Sequence, residues 1–254
     1  TDLHLGLMRY TDIQGTVWYD QSGTIEPLLG AQVELLDQSG ISLQNTVTLE
    51  DGTYTFTRLL PGIFEIQVTV PEGHVVVEAD DMRLEDGTLR SIMLYVNRRN
   101  GSTGQFELRM GDDLSGMDIG SVTPGMLGDL LFLDVNGNGL QDTDELGIPN
   151  VTIHLLRDGQ EITSTVTDQY GFYRFTDLYP SQYVLYPTLP SEVIPTVHRD
   201  DYEGINSVLE EDGYSIPVSV YSGAKNYDAD MGAVLVTKGQ YPAGYGEGET
   251  QKWN

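Results

Sequence analysis

Gly171-Phe172-Tyr173-Arg174-Phe175-Thr176-Asp177-Leu178-Tyr179-Pro180 repeats, at the same spacing, the earlier stretch Gly52-Thr53-Tyr54-Thr55-Phe56-Thr57-Arg58-Leu59-Leu60-Pro61. In both, large apolar residues alternate with polar ones, the period of a strand with one face in a core and the other in water. A glycine ahead and a proline behind are turn residues. The stretch therefore reads as a half-buried strand between two turns, and its recurrence makes the chain a repeat.

The similarity extends outward in the same order. Gly15-Thr16-Val17-Trp18-Tyr19-Asp20 corresponds to Asp129-Leu130-Leu131-Phe132-Leu133-Asp134, and Val33-Glu34-Leu35-Leu36 to Ile153-His154-Leu155-Leu156. Downstream, Met117-Asp118-Ile119-Gly120 matches Ala229-Asp230-Met231-Gly232. Two modules of about 110 residues follow, each of ordinary domain size. The boundaries read as 9–122 and 123–237, with a short connection at 121–128 that limits the freedom between neighbours. His4-Leu5-Gly6 stands where Asp118-Ile119-Gly120 stands in the first module, so residues 1–8 read as the last strand of a preceding module. Residues 238–254 lack periodicity and read as a tail or linker.

Turn signals recur at Asp37-Gln38-Ser39-Gly40, Asp51-Gly52, Pro61-Gly62, Pro71-Glu72-Gly73, Asp158-Gly159 and Pro180-Ser181. Short alternating segments at that spacing predict an all-β fold of two tandem β-sandwiches. The composition agrees, with 15 Tyr, 29 Gly and 11 Pro. The formal charge of −26 repels phosphate backbones and anionic lipid, which argues against nucleic acid and membrane surfaces as partners. No apolar run approaches the ~20 residues of a membrane span. The absence of Cys removes disulfides, thiolate metal sites and Cys nucleophiles.

One segment carries chemistry. Residues 134–145 read Asp-Val-Asn-Gly-Asn-Gly-Leu-Gln-Asp-Thr-Asp-Glu, with oxygen side chains at loop positions 1, 3, 5, 9 and 12 and glycine at position 6. That is the pattern of a calcium loop. It predicts Asp134, Asn136, Asn138, the Leu140 carbonyl, Asp142 and Glu145 as Ca2+ ligands, Asp142 directly or through a water. The flanks, Leu130-Leu131-Phe132-Leu133 and Gly147-Ile148-Pro149, suit strands, so the cation would staple a connection in a sandwich. The first module follows Asp20 with Gln21-Ser22-Gly23-Thr24-Ile25-Glu26, which is too short for a cage. Leu49 likewise stands where the second module has Asp168. Asp168, Asp200, Asp201, Asp228 and Asp230 could build a second cation site, but as scattered acids they read better as solvated surface. Asp118 and Asp230 share a repeat position that suits a ligand, a structural hydrogen bond or a polar face.

Together the Gly-x-Tyr-x-Phe-x-x-Leu-x-Pro block, the first strand ending in Asp and the Asp-x-Asn-x-Asn-Gly loop resemble the B-repeat domains of staphylococcal Sdr-type adhesins, within the Cna B-type superfamily. The resemblance implies immunoglobulin-like (transthyretin/Cna B-type) β-sandwiches strung as a stalk, with neighbouring modules as partners and calcium as the rigidifying cation. It implies an extracellular location on the cell wall of a Gram-positive bacterium. Some superfamily members lock each domain with a Lys isopeptide bond. This chain has only Lys225, Lys238 and Lys252, none of them in the first module, so no such bond is expected.

No catalytic constellation is expected. His4, His74, His154 and His198 are far apart, and no nucleophile elbow or phosphate loop occurs. Two other readings stand beside the stalk: a module that binds a host protein or glycan directly, and an accessory domain of a larger surface enzyme.

Overall fold

The computed structural model describes residues 9–21, 23–77, 96–112, 114–196 and 206–236. The expected strand at 1–8, the tail at 238–254, the acids Asp200 and Asp201, and His4 and His198 lie outside the described residues. The elements are strands throughout, and the chain divides into two compact units between Pro124 and Gly125.

In the first unit one long strand, β1 (Thr11–Gln21), serves two sets of neighbours. Its first half pairs antiparallel with β5 (Thr53–Leu59), Gly15 opposite Tyr54. Its second half pairs parallel with β10 (Ile119–Val122) and antiparallel with β2 (Thr24–Pro27). The facing sheet runs β4 (Ser42–Val47), β3 (Gln32–Asp37), β6 (Gly62–Thr69), β8 (Ser102–Leu108), antiparallel throughout. Alternation places Ile13, Val17 and Phe56 of one sheet against Val33, Leu35 and Ile66 of the other, all six fully buried.

The second unit repeats the scheme. Here β11 (Gly125–Leu133) lies between β14 (Phe172–Leu178), antiparallel, and β19 (Met231–Leu235), parallel, while β16 (Val193–Pro195) covers the far side of β19. The facing sheet runs β13 (Gln160–Val166), β12 (Thr152–Arg157), β15 (Ser181–Pro187), β17 (Val218–Val220). Leu127, Leu131, Ile153 and Leu185 meet in its core.

The glycine of the repeated block is required twice over. Gly52 and Gly171 have φ of 72° and 87°, and an added Cβ would lie 2.4 Å from the Val17 carbonyl oxygen or 2.5 Å from Gly147 Cα. The tyrosine two residues on reaches the segment just ahead of the closing strand, Tyr54 donating to the Met117 carbonyl at 2.5 Å and Tyr173 to the Ala229 carbonyl. Thr48 and Thr167 do the same work in each unit, the hydroxyl donating to the Leu28 or Ile148 carbonyl and accepting from Ala31 or Val151 N–H. These bonds satisfy buried backbone groups that the ladders leave open.

One expectation is corrected. The connection read from the sequence as 121–128 is mostly strand: β10 ends at Val122 and β11 begins at Gly125, leaving two residues between them. Gly125 and Gly128 hid the strand, because glycine is a weak strand former. An added Cβ on Gly128 would lie 2.3 Å from the Tyr173 carbonyl oxygen, so close backbone approach explains the residue.

Candidate metal centre

The loop from Asp134 to Glu145 leaves the end of β11, and its two ends are tied together. Leu133 N–H donates to the Leu146 carbonyl at 2.8 Å and Ile148 N–H to the Leu131 carbonyl at 2.7 Å. Asp134 N–H donates to the Ala233 carbonyl at 2.9 Å, which fixes the first residue of the loop on β19. The carboxylate of Asp134 is therefore carried into the protein, where it is 1% exposed.

That carboxylate organises the loop. Its Oδ1 accepts the N–H of Gly137 at 2.7 Å and of Asn138 at 3.2 Å, and its Oδ2 accepts Gly139 N–H at 2.8 Å and the hydroxyl of Thr196. Gly137 and Gly139 have φ of 72° and 81°, the left-handed conformation that curls the backbone around the carboxylate. Asn136 Oδ1 accepts Asn138 N–H at 2.9 Å, and Asn138 Oδ1 accepts Leu140 N–H at 2.7 Å. Both asparagines donate through Nδ2 to Asp142 Oδ2, at 2.7 and 2.9 Å. Glu145 closes the loop, its two oxygens accepting Val135 N–H at 2.8 Å and Asp142 N–H at 3.0 Å.

The structure thus brings five predicted side chains, Asp134, Asn136, Asn138, Asp142 and Glu145, into one hydrogen-bonded loop. Leu140 bridges to Asn206, and Ser207 N–H takes the Gly139 carbonyl at 2.9 Å. Burial, together with the charges of Asp134 and Asp142, pushes the Glu145 carboxyl up to about 7 despite its two backbone donors. The donors are oxygens alone, the set a hard cation such as calcium takes. Among the described residues no three Asp, Glu, His or Cys side chains gather as a metal-holding group; the oxygens of Asp134, Asp142 and Glu145 are taken by N–H donors of the loop, and the three carboxylates would have to draw together to share one ion.

Thr196 was not foreseen, since it lies 62 residues from Asp134 in sequence. Comparison of the units exposes it. Thr196 N–H donates to the Gly232 carbonyl and Val77 N–H to the Gly120 carbonyl, so the two positions correspond, and the first unit has valine there. In that unit the loop itself is replaced by a hairpin: Gln21 pairs with Thr24, and Gly23 N–H donates to Asp20 Oδ1 at 2.7 Å. Backbone pairing does there what the loop does in the second unit.

The other acids fall elsewhere. Asp168 is exposed and accepts the N–H of Tyr170 and Phe172 at 2.8 and 3.0 Å, capping its own turn. Asp118 accepts Thr16 N–H at 2.9 Å, and Asp230 accepts Leu130 N–H at 3.3 Å, so the shared repeat position is a structural hydrogen bond. The second unit adds Asp129 where the first has Gly15. Burial and then repulsion from Asp228 raise Asp129 to about 7, and burial with repulsion from Asp129 and, less, from Asp228 raises Asp230 to about 8.

The family model described as SdrD B-like domain matches residues 5–121 and again 125–233. Serine-aspartate repeat-containing protein D of Staphylococcus aureus is 33% identical over 188 residues, which are 71% of this chain and 14% of that protein. Colossin-A of Dictyostelium discoideum is 29% identical over 201 residues, 76% of this chain and 2% of that protein. A solved streptococcal ancillary pilin aligns with 89% of this chain and 62% of its own, at 13% identity and a TM-score of 0.35. The chain spans a small part of the length of these curated relatives. Matched by the family model along nearly all of both units, the chain belongs to the SdrD B-like domain family, as a tandem pair.

Proposed function

We propose that the two units are non-catalytic spacer modules in the stalk of a cell-wall-associated bacterial surface protein, and that one calcium ion closes the second. Membership in a repeat family supports the spacer role, as do two units of one architecture in succession, which suits neighbouring repeats as partners. No helix among the described residues is long and apolar enough to cross a membrane.

The observation that carries the calcium reading is the contrast between the units. Where the first has a hairpin, the second holds a buried Asp134 and a buried Glu145 in one oxygen-lined loop. Asp134, Asn136, Asn138, the Leu140 carbonyl, Asp142 and Glu145 would hold the ion. Bound calcium supplies the positive charge that these carboxylates lack. The residues themselves do the positioning: Thr196 and three backbone N–H groups orient Asp134, and the N–H groups of Val135 and Asp142 orient Glu145. Ion binding would tie β11, Thr196 and Ser207 into one rigid edge.

Isothermal titration of the chain with calcium tests this. One binding event is expected, and Asp134→Ala with Glu145→Ala should abolish it. No heat in the parent chain, or an unaltered isotherm in the double variant, would overturn the calcium assignment.

A further inference from the structure

Three Asn-Gly steps occur in the sequence, at 100–101, 136–137 and 138–139, and two of them lie in the loop just described. We propose that Asn136 and Asn138 are sites of spontaneous deamidation, and that the Asp134 carboxylate is the gate that holds both reactions off.

Asn-Gly is the dipeptide most prone to this reaction because glycine leaves the attacking backbone nitrogen unhindered. The glycine nitrogen bonds to the asparagine Cγ, and its proton passes through solvent to the departing Nδ2. The Cγ–Nδ2 bond breaks and ammonia leaves, giving a cyclic imide. Water then adds to either imide carbonyl and opens the ring to aspartate or to isoaspartate, releasing a proton from the new carboxyl group. Nothing but water is consumed.

Every group that must move is held. The nucleophiles, Gly137 N and Gly139 N, donate to the two oxygens of Asp134 at 2.7 and 2.8 Å. The leaving amides of Asn136 and Asn138 both donate to Asp142 Oδ2. Their carbonyl oxygens are occupied by Asn138 N–H and Leu140 N–H. Because Asp134 is 1% exposed, water cannot take its place as acceptor without opening the loop. An added Cβ on Gly137 would meet nothing within 4 Å, so once the loop opens sterics offer no second barrier there. Asn100 is held differently, with Gly101 N–H donating to the Asn97 carbonyl at 2.8 Å, and serves as an internal comparison.

The products change the loop in opposite ways. Aspartate at 136 or 138 turns a neutral oxygen donor into an anionic one. Isoaspartate puts an extra methylene in the backbone and breaks the spacing on which the loop depends. The covalent step stands on the loop's own geometry, whereas its effect on ion binding rests on the calcium reading above.

The test is peptide mapping by mass spectrometry of the full chain, held in chelator at mildly alkaline pH, beside the same chain unfolded in urea and beside Asp134→Asn. Asn136 and Asn138 should convert far more slowly in the native chain than in urea. Asp134→Asn should speed both by roughly ten- to a hundredfold, the range for losing a charge-assisted hydrogen bond, and leave Asn100 unchanged. Native rates equal to those in urea would overturn the proposal even if the variant fails to fold, as would a folded Asp134→Asn chain with unaltered rates. Calcium titration of fresh and converted chain separates the two ideas: a fresh chain that binds no calcium sinks the calcium reading and leaves the mass result standing.

Discussion

Thr196→Val is the most informative single change, because the first unit already carries valine at the corresponding position 77. The swap keeps the branched shape of the side chain and replaces the hydroxyl by a methyl group, so what is lost is the hydrogen bond. That hydroxyl donates to an Asp134 carboxylate which is 1% exposed, and water cannot stand in for it. A hydrogen bond to a charged group contributes about 1.5–3 kcal/mol. Three backbone donors to Asp134 remain, which places the loss in the lower half of that range, about 2 kcal/mol. For a domain of about a hundred residues this lowers the melting temperature by on the order of 10 °C. Calorimetry in chelator, with Trp253→Phe as background so that buried Trp18 alone reports the first unit by fluorescence, assigns each transition. The second unit's transition should fall and the Trp18 transition should stay. Unchanged melting of the second unit, or a fall in the Trp18 transition, would refute the reasoning.

Without calcium, the second unit should weaken with rising pH. Glu145, Asp129 and Asp230 all have folded-state values raised above those of the unfolded chain, so their favourable contribution is complete at acid pH and is lost as pH passes through about 7 to 8. In chelator the second transition should therefore lie higher at about pH 5.5 than at about pH 8.5, two points that bracket the folded-state values, and Glu145→Gln or Asp129→Asn should each flatten the slope; a transition that rises with pH would contradict these assignments. Gly171→Ala should destabilise the second unit by about 2 kcal/mol or more, since the residue combines positive φ with a clash against Gly147 and Leu131 backbone atoms. Urea unfolding checks it, and a change within experimental error would mean that the turn relaxes freely.

What could be read from the sequence was what local pattern and repetition carry. Tyr54 and Phe56, Tyr173 and Phe175 announced strands by their alternation, and the spacing of Asp134, Asn136, Asn138, Asp142 and Glu145 announced a closed loop. Groups joined only by the fold could not be read. Thr196 looks like any strand-end threonine until Asp134 is placed beside it, and Thr48 and Thr167 give no sign of capping carbonyls about 20 residues away. Asp118 and Asp230 left three roles open, and it took the neighbouring strand's backbone, at Thr16 and Leu130, to choose among them. The hairpin that replaces the loop in the first unit was equally hidden, because shortening alone does not say what pairs instead.

The central claim, a spacer pair whose second unit alone is closed by calcium, is tested most directly by calorimetric melting in excess calcium and in chelator. At a free concentration about a hundredfold over the dissociation constant, binding to the folded form alone adds about 2.7 kcal/mol. The account predicts a higher second transition with calcium, an unmoved Trp18 transition, and no response after Asp134→Ala with Glu145→Ala. A chain whose two transitions ignore calcium, or whose first unit responds, would contradict it.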